Sequence, residues 1–353
     1  MEPLLAVHDT EGGFSARWIE EIKRRGLNLR IVDCYKNTIL DDLSGCDALL
    51  WHWDHSRPKD LLVASHIIRA VEMKGLKVFP DIASCWHFDD KIAQKYLLEA
   101  INAPLAPTHV FFEMQEALEW AHTAKWPKVF KLKRGAGSTN VRLIKDSAEA
   151  RRLIRKAFGK GFKAYGTPLT DLSLRLQTAQ RTRGIFKSTL RLPRFLMNLS
   201  KRNSLAPREK GYVYFQDFMP NNTGDTRVTV IGRRAFAFTR RVRPGDFRAS
   251  GSGTVEYVQS KIDPECVRIA VEATKRMKGQ SAAFDFVQDE EGRPAILEVS
   301  YCYVDKAVYN CPGHWDDRLV WHEGHVWPED AILDDLLASL CREESVEEAG
   351  TSI

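Results

Sequence analysis

The sequence predicts an α/β protein that changes character part-way along its length. Between Leu4 and Pro80, short apolar runs of strand length alternate with amphipathic helical patterns, which favours a parallel sheet with helices on its faces. After a helical stretch that begins at Asp89, the alternation gives way to neighbouring strands joined by short turns, the pattern of antiparallel α+β structure. No run of about 18 apolar residues interrupts either part, so a membrane-spanning helix is not expected.

The strands of the first part are Leu4–Val7, Leu29–Cys34 and Ala48–Trp53. The helical patterns Ser15–Arg25 and Lys59–Lys74 separate and follow them, and KVFPD supplies one more short strand. From Asp89, DDKIAQKYLLEAINAPLAPTHVF reads as an amphipathic helix closed by Asn102, with Pro104 and Pro107 leading into a strand. WPKVFKLK, the small-residue loop RGAGSTN and VRLI then predict a hairpin with a flexible tip. Near the C-terminus, SAAFDFV (Ser281–Val287) and PAILEVS (Pro294–Ser300) flank DEEGR as a second hairpin. An amphipathic helix around Ala331–Arg342 precedes the acidic stretch EESVEEAG, which is expected to fray.

Composition sets the scale. The chain has 353 residues, 44% hydrophobic and 28% charged, enough for two or three domains with proper cores. The N-terminus has no basic region ahead of an apolar run, so a cytoplasmic protein is expected. Seven cysteines form no CxxC pair and read as buried free thiols.

Two places carry chemistry. Antiparallel pairing in the second hairpin is expected to set Asp285 opposite Glu298, where cross-strand Cβ atoms lie about 5 Å apart and like charges repel. A divalent cation would satisfy the pair; a slipped register or solvated acids are the alternatives. In the first hairpin, Gly135, Gly137, Ser138 and Thr139 leave backbone N–H groups free to turn toward an anion, with Lys131 at the end of the preceding strand. The loop is neither a P-loop nor a GxGxxG element, and a plain flexible hairpin fits it as well.

The order DDKIAQKYLLEAINAPLAPT, VFKLKRGAGSTNV, YFQDF, GDTRVTVIG, RRVRPGDFRASGSG, FDFV and ILEVS resembles the ATP-grasp superfamily. The similarity is to the branch of glutathione synthetase, D-alanine:D-alanine ligase and the RimK-like ligases that add glutamate to ribosomal protein tails. It runs from about Asp89 to Tyr301. It implies an N-terminal parallel-sheet domain over 1–105, a central ATP-grasp subdomain over 106–217 and a C-terminal subdomain over 218–353 that carries the metal carboxylates. It implies binding of ATP with magnesium, manganese being the alternative ion.

Carried over by position, the resemblance makes Lys91 and Lys131 the phosphate-binding lysines, with Gly135, Gly137 and Ser138 in the loop above them. Phe215–Met219 becomes the adenine-reading hinge, to which Gln216, Asp217, Phe218 and Met219 contribute, and Asp225 a candidate for the ribose hydroxyls. Arg240, Arg227 and Arg248 become the catalytic cations that stabilise charge as phosphate moves to a carboxylate oxygen. Asp285 and Glu298 become the magnesium ligands, and Ser300 stands where the family usually has asparagine. The implied activity is a carboxylate–amine ligase working through an acyl phosphate. Its alternatives are an ATP-grasp kinase acting on a hydroxyl and a catalytically weakened ATP-binding protein.

From Leu172 to Arg208 there are nine lysines and arginines and no acid, interleaved with leucines and Phe195. This insertion, about 160–210, suggests a basic amphipathic helix from Pro193 that rests on an anionic membrane, giving peripheral localisation, or a contact with an acidic glycan that donates the carboxylate. A solvated insertion is the alternative. No nucleic-acid motif is present, and an oligomer is compatible with the sequence. His314, His322 and His325 lie among Trp315, Trp321 and Trp327 without metal-ligand spacing, so they are expected to cover the back of the ligase site or a substrate pocket, with Cys302 and Tyr303 beside it.

Overall fold

The computed structural model describes residues 2–55, 57–135, 140–163, 208–242, 247–248 and 254–350, with 342–350 described by backbone alone. The loop residues Gly137, Ser138 and Thr139 lie outside them, as does the basic insertion apart from its last residue, Arg208.

Three sheets organise the chain. The first is parallel, built from β1 (Leu4–His8), β2 (Asn28–Val32), β3 (Ala48–Leu50) and β4 (Lys77–Phe79) in the order β2-β1-β3-β4. Strand alternation divides its residues between two cores: Leu5, Val7 and Leu50 face one cluster, Ala6 and Leu49 the other. The second cluster is covered by helix Pro58–Met73 through Ala64, Ile68 and Val71. The strand expected to reach Trp53 ends at Leu50, because the chain turns there and the Trp53 amide donates to the Trp51 carbonyl.

The second sheet is antiparallel, with β5 (Thr108–Phe111), β6 (Lys128–Lys131), β7 (Val141–Ile144) and β8 (Val213–Asp217) in the order β5-β8-β6-β7. The expected hairpin is β6–β7, with Lys131 opposite Val141. One face, carrying Phe130, Ile144, Val213 and Phe215, packs on helices Met114–Thr123 and Ser147–Phe158. The other carries Val129, Lys131, Val141 and Gln216 and is left for the site.

The third and largest sheet follows the path β13-β12-β9-β10-β14-β15, with the short β11 pairing β10. Its strands are β9 (Gly224–Ile231), β10 (Arg234–Arg241), β11 (Val255–Glu256), β12 (Ser281–Gln288), β13 (Pro294–Ser300), β14 (Gly313–Asp316) and β15 (Trp321–Glu323). One face carries Val228, Val230, Ala235, Ala237, Phe284, Phe286 and Val299, which pack against helix Pro264–Met277. That helix begins on Asp263, whose side chain accepts the Glu265 amide, with Pro264 at its first position. The opposite face is divided. Ile231, Phe236, Phe238 and Ala283 join the core beneath the parallel sheet, together with Trp18, Ile22 and the final helix Pro328–Gly350. Asp225, Arg227, Arg240, Asp285 and Glu298 continue the same face as charged residues.

Several expectations need correction. The final helix takes in EESVEEAG, a stretch of helix-forming residues with no proline or glycine to break it before Gly350. His314, Trp315, Trp321 and His322 form the β14–β15 hairpin on the β10 edge of the sheet, away from the carboxylates on β12 and β13, and His325 and Trp327 follow it against Tyr309. There His314 stacks on His322 with ring centroids 5.3 Å apart. Tyr303 belongs to the core and shares a 2.7 Å hydrogen bond with Ser281, so it is not a pocket residue. Six of the seven cysteines are buried or half-buried free thiols and Cys341 is exposed.

Candidate functional site

The cleft lies between the exposed face of the second sheet and the charged end of the third. Lys91, Lys131, Gly135, Gln216, Asp217, Phe218, Met219, Asp225, Arg248, Asp285 and Glu298 all line it. The predicted set is thereby brought together from four separate stretches of sequence. Arg227, Arg240 and Ser300 stand behind this wall; Arg240 also borders a neighbouring cavity on the β9–β10 side.

The two lysines are fixed by secondary structure. Asp90 caps helix Lys91–Ala100 by accepting from the amides of Ile92 and Ala93, which presents Lys91 at the first turn. Its ammonium is buried, donating to the Gly135 carbonyl at 2.9 Å and to Glu298 Oε1 at 3.0 Å. Burial opposes its charge, but Glu298 and Asp89 outweigh that cost and raise its pKa. Asp89 and Asp90 also tie down the start of the glycine loop: Asp89 accepts the Gly135 amide at 2.9 Å, and Asp90 pairs with Lys133 at 2.7 Å. Lys131 reaches the same space from β6 and donates to Gln216 Oε1 at 2.6 Å. Burial, helped by the nearby Lys91 charge, pushes its ammonium down to about 8, with Glu298 opposing.

The carboxylates are set opposite each other by a defect in the hairpin. Counting back from the turn, Gln288 faces Pro294 and Phe286 faces Ile296, a register in which Asp285 would meet Leu297. A bulge between Asp285 and Phe286 shifts the pairing by one residue, so Asp285 faces Glu298 instead. Without it Glu298 would turn into the apolar face beside Phe284. The expected pairing of Asp285 with Glu298 is therefore present, but it depends on a bulge that the sequence did not reveal. The bulge is stitched in place from outside, because Ile296 exchanges backbone hydrogen bonds with Pro104 and Ala106, and the Leu297 carbonyl accepts from Lys131 at 3.5 Å.

Positive charge meets Asp285 from the neighbouring strands. Its oxygens accept from Arg227 Nε and Nη2 at 2.6 and 2.8 Å, and Arg240 Nη2 lies 2.8 Å from Oδ2. Arg240 in turn forks onto Asp225 at 2.7 and 2.6 Å. The strand register explains the tetrad: Arg227 is the cross-strand partner of Asp285, and Arg240 that of Asp225. Burial raises the cost of charge on Asp285, and the two guanidiniums reverse this and hold its pKa well below the usual carboxylate range. Burial and the Asp285 charge push Asp225 up, against the pull of Arg240.

The hinge side departs from expectation in its side chains. Gln216 is buried, with its oxygen on Lys131 and its amide nitrogen donating to Thr108 Oγ1 at 3.1 Å. The Asp217 carboxylate accepts from Lys128 at 2.5 Å and pairs with His109 at 3.1 Å, on the helix-covered face beside Trp120. What Asp217 gives the cleft is its main chain. Phe218 meets Phe247 edge-on, and Arg248 closes the same rim. Sequence reasoning missed Val129, Val141, Leu297 and Asn222, which also line the cleft. Alternation from Lys131 would have found the two valines; nothing local marks Leu297. Asn222 exchanges two 2.9 Å bonds with the Gln288 backbone and so pins the hinge to the end of β12.

Magnesium is bound through one or two carboxylates, with phosphates and water completing its shell. Glu298 fits that demand: its side chain is 36% exposed, it faces the cleft, and among the described residues only its Oε1 is engaged, by Lys91. Asp285 lines the same cleft but is 9% exposed and held by both arginines. The Ser300 hydroxyl donates to the Cys302 carbonyl at 3.0 Å and accepts the Cys302 amide at 3.1 Å. Among the described residues no group of three or more His, Cys, Asp or Glu side chains forms a metal cluster.

Residues 200–303 match the family model of the RimK-like ATP-grasp domain. No curated protein sequence matches the chain. Among solved structures, the chain is similar to a RimK domain protein ATP-grasp from Sphaerobacter thermophilus DSM 20745, with a TM-score of 0.52 and 16% identity over 84% of this chain and 90% of that one. It is similar to the D-cycloserine synthetase DcsG, with a TM-score of 0.57 and 14% identity over 94% of this chain and 99% of that one. The biotin carboxylase domain of the Hydrogenobacter thermophilus 2-oxoglutarate carboxylase, solved with MgADP, ADP and bicarbonate, gives a TM-score of 0.59 and 14% identity over 96% of this chain and 70% of that one.

Proposed function

The chain has the ATP-grasp fold, RimK-like over its matched residues, and on that premise we propose that it is an ATP-dependent ligase joining a carboxylate to an amine through an acyl phosphate. The observation that carries this is one cleft that gathers two buried lysines, a hinge main chain and Glu298 beside an arginine–aspartate tetrad. The similar structures named as a synthetase and a carboxylase, the latter with MgADP, support the same class. We adopt the division into 1–105, 106–217 and 218–353 as part of this proposal.

ATP would lie with its adenine against the main chain of 216–219 and its phosphates between Lys91 and Lys131. Two ammonium groups reach that space from different elements and offset charge from two sides. The glycine loop that contains Gly137 and Ser138 would cover the phosphates, and Asp89 and Asp90 hold its near end. When bound at Glu298, magnesium would neutralise the phosphate oxygens. A substrate carboxylate oxygen attacks the γ-phosphorus, the bond to the bridging oxygen of ADP breaks, and an acyl phosphate forms. The amine nitrogen then attacks the acyl carbon, inorganic phosphate leaves, and the amine proton passes to solvent. Arg227 and Arg240 are fixed in advance by their carboxylate forks, so they need no reorganisation to stabilise charge on the transferring group. Arg248, at the rim, is positioned to meet the incoming carboxylate.

A carboxylate and an amine define the substrate pair. An acidic glycan or a membrane surface rests on the basic insertion alone, and nothing in the cleft supports either.

The test is ADP release by the purified protein with magnesium-ATP across a panel of carboxylates, with and without amino acids, and with hydroxylamine as a trap. Release that needs a carboxylate and yields a hydroxamate is the expected result. A stable phosphate ester on a hydroxyl substrate, with no amine requirement, would replace this reading with a kinase.

A further inference from the structure

We propose that the site takes one divalent cation, carried by Glu298 and the nucleotide phosphates, and that Asp285 is not its ligand but the anchor that aims Arg227 and Arg240. The inference deepens the ligase reading and depends on it for the nucleotide.

The two carboxylates are cross-strand partners, yet their surroundings differ in kind. Glu298 opens to the cleft and shares one oxygen with one lysine. Asp285 accepts two N–H groups from Arg227, one on each oxygen, and Arg240 Nη2 lies 2.8 Å from Oδ2 as an ion pair, so both oxygens already meet guanidinium nitrogen. A cation on the remaining direction of Oδ1 would sit against both arginines, and like charges so close repel strongly where burial weakens screening. Releasing the arginines is no easier. Arg227 forms ion pairs with no acid besides Asp285 among the described residues, and Asp225 is already committed to Arg240. Ser300, the remaining candidate ligand, has its hydroxyl closed onto the backbone of Cys302.

Where a second ion would sit, two guanidiniums are locked in planar forks, Arg227 on Asp285 and Arg240 on Asp225, bridged through Asp285 Oδ2, and the four side chains together are neutral. Both sit on adjacent strands whose register fixes their spacing. Asp285 therefore acts through the arginines, as a positioning residue.

The experiment counts ions. The full-length protein is saturated with a non-hydrolysable ATP analogue and titrated with Mn²⁺; bound metal is read from loss of the free-ion electron paramagnetic resonance signal, and bound nucleotide from calorimetry on the same samples. One Mn²⁺ per bound nucleotide is expected. Glu298→Gln should weaken manganese retention at least about tenfold. Asp285→Asn should keep the count at one while lowering nucleotide affinity, because the arginines lose their anchor. Two ions per bound nucleotide, or an Asp285→Asn variant that loses manganese as fully as Glu298→Gln, overturns the proposal. The wild-type count decides the matter even if Asp285→Asn fails to fold. Failure of the folded protein to bind nucleotide sinks the ligase reading and this inference with it, an outcome distinct from a two-ion site with nucleotide bound.

Discussion

One face of the large sheet has two halves built on the same strands, and each half sits beside a buried carboxyl. At one end, Ile231, Phe236, Phe238 and Ala283 pack under the parallel sheet, close to Glu329 of the final helix. At the other, Asp285 and Glu298 line the cleft, with Arg227 and Arg240 on the same sheet face behind them. Asp285 and Glu329 are both nearly inaccessible, yet their proton affinities move in opposite directions. Two guanidiniums overcome burial at Asp285 and hold its pKa far down. Burial dominates at Glu329, whose Oε2 has no hydrogen-bond partner among the described residues, and pushes it up to about 7; its own backbone amide and Arg17 oppose this only weakly, and Asp305 adds to it. Arg17 is already forked onto Asp330. The same burial is therefore productive or costly according to whether the register brings a cation alongside.

If the halves divide labour as this comparison implies, truncation in the apolar half removes stability and leaves nucleotide recognition intact. Phe236→Ala should cost about 3–5 kcal/mol in chemical denaturation, since the ring is fully buried and bridges the sheet to the parallel unit. The KM for ATP of whatever remains folded should be unchanged; a raised KM would show that the two halves are mechanically coupled.

The reverse change is expected in the charged half. Lys91→Met should lower ADP release by about 10²–10³, the usual range for removing one preorganised stabilising donor. Denaturation midpoints should move little, because Glu298 is exposed enough to be solvated once its lysine partner is gone. A large loss of stability with intact turnover would assign Lys91 to the fold.

Much of this division was legible in the sequence. Alternation and run length located the parallel sheet, and the order of motifs located the lysines, the hinge and the carboxylates. Three things were not. The bulge at Leu297 needs backbone contacts with Pro104 and Ala106, nearly two hundred residues away, and no local pattern announces it. The ion-pair partners of Arg227 and Arg240, Asp285 and Asp225, were not foreseen, because strand order sets who stands beside whom and strand order is not local. Asp217 changed role because the alternation of β8 turns its side chain to Lys128 and His109.

Glu329 sharpens the comparison through pH. Its folded pKa is raised above the ordinary value, so the folded state binds more protons between about 4.5 and 7 and stability falls as pH rises through that window. Asp285 has the opposite sign and contributes stability that is lost as pH drops below the ordinary carboxylate range. Glu329→Gln should accordingly stabilise the protein at pH 8 by up to about 3 kcal/mol and do nothing comparable at pH 4. Equal effects at both pH values, read from thermal melts, would mean that Glu329 is not titrating.

The smallest effect is expected at Ser300, the position where the ATP-grasp resemblance implies asparagine. Its hydroxyl is spent on the amide and carbonyl of Cys302, which turns the chain out of β13. Ser300→Ala should cost about 1 kcal/mol through those two hydrogen bonds. ADP release should change less than about threefold, under about 0.7 kcal/mol in the barrier. A larger kinetic loss with normal stability would move Ser300 from the turn into the metal's surroundings. It would also weaken the claim that register, more than residue type, decides which oxygens on this face can reach a cation.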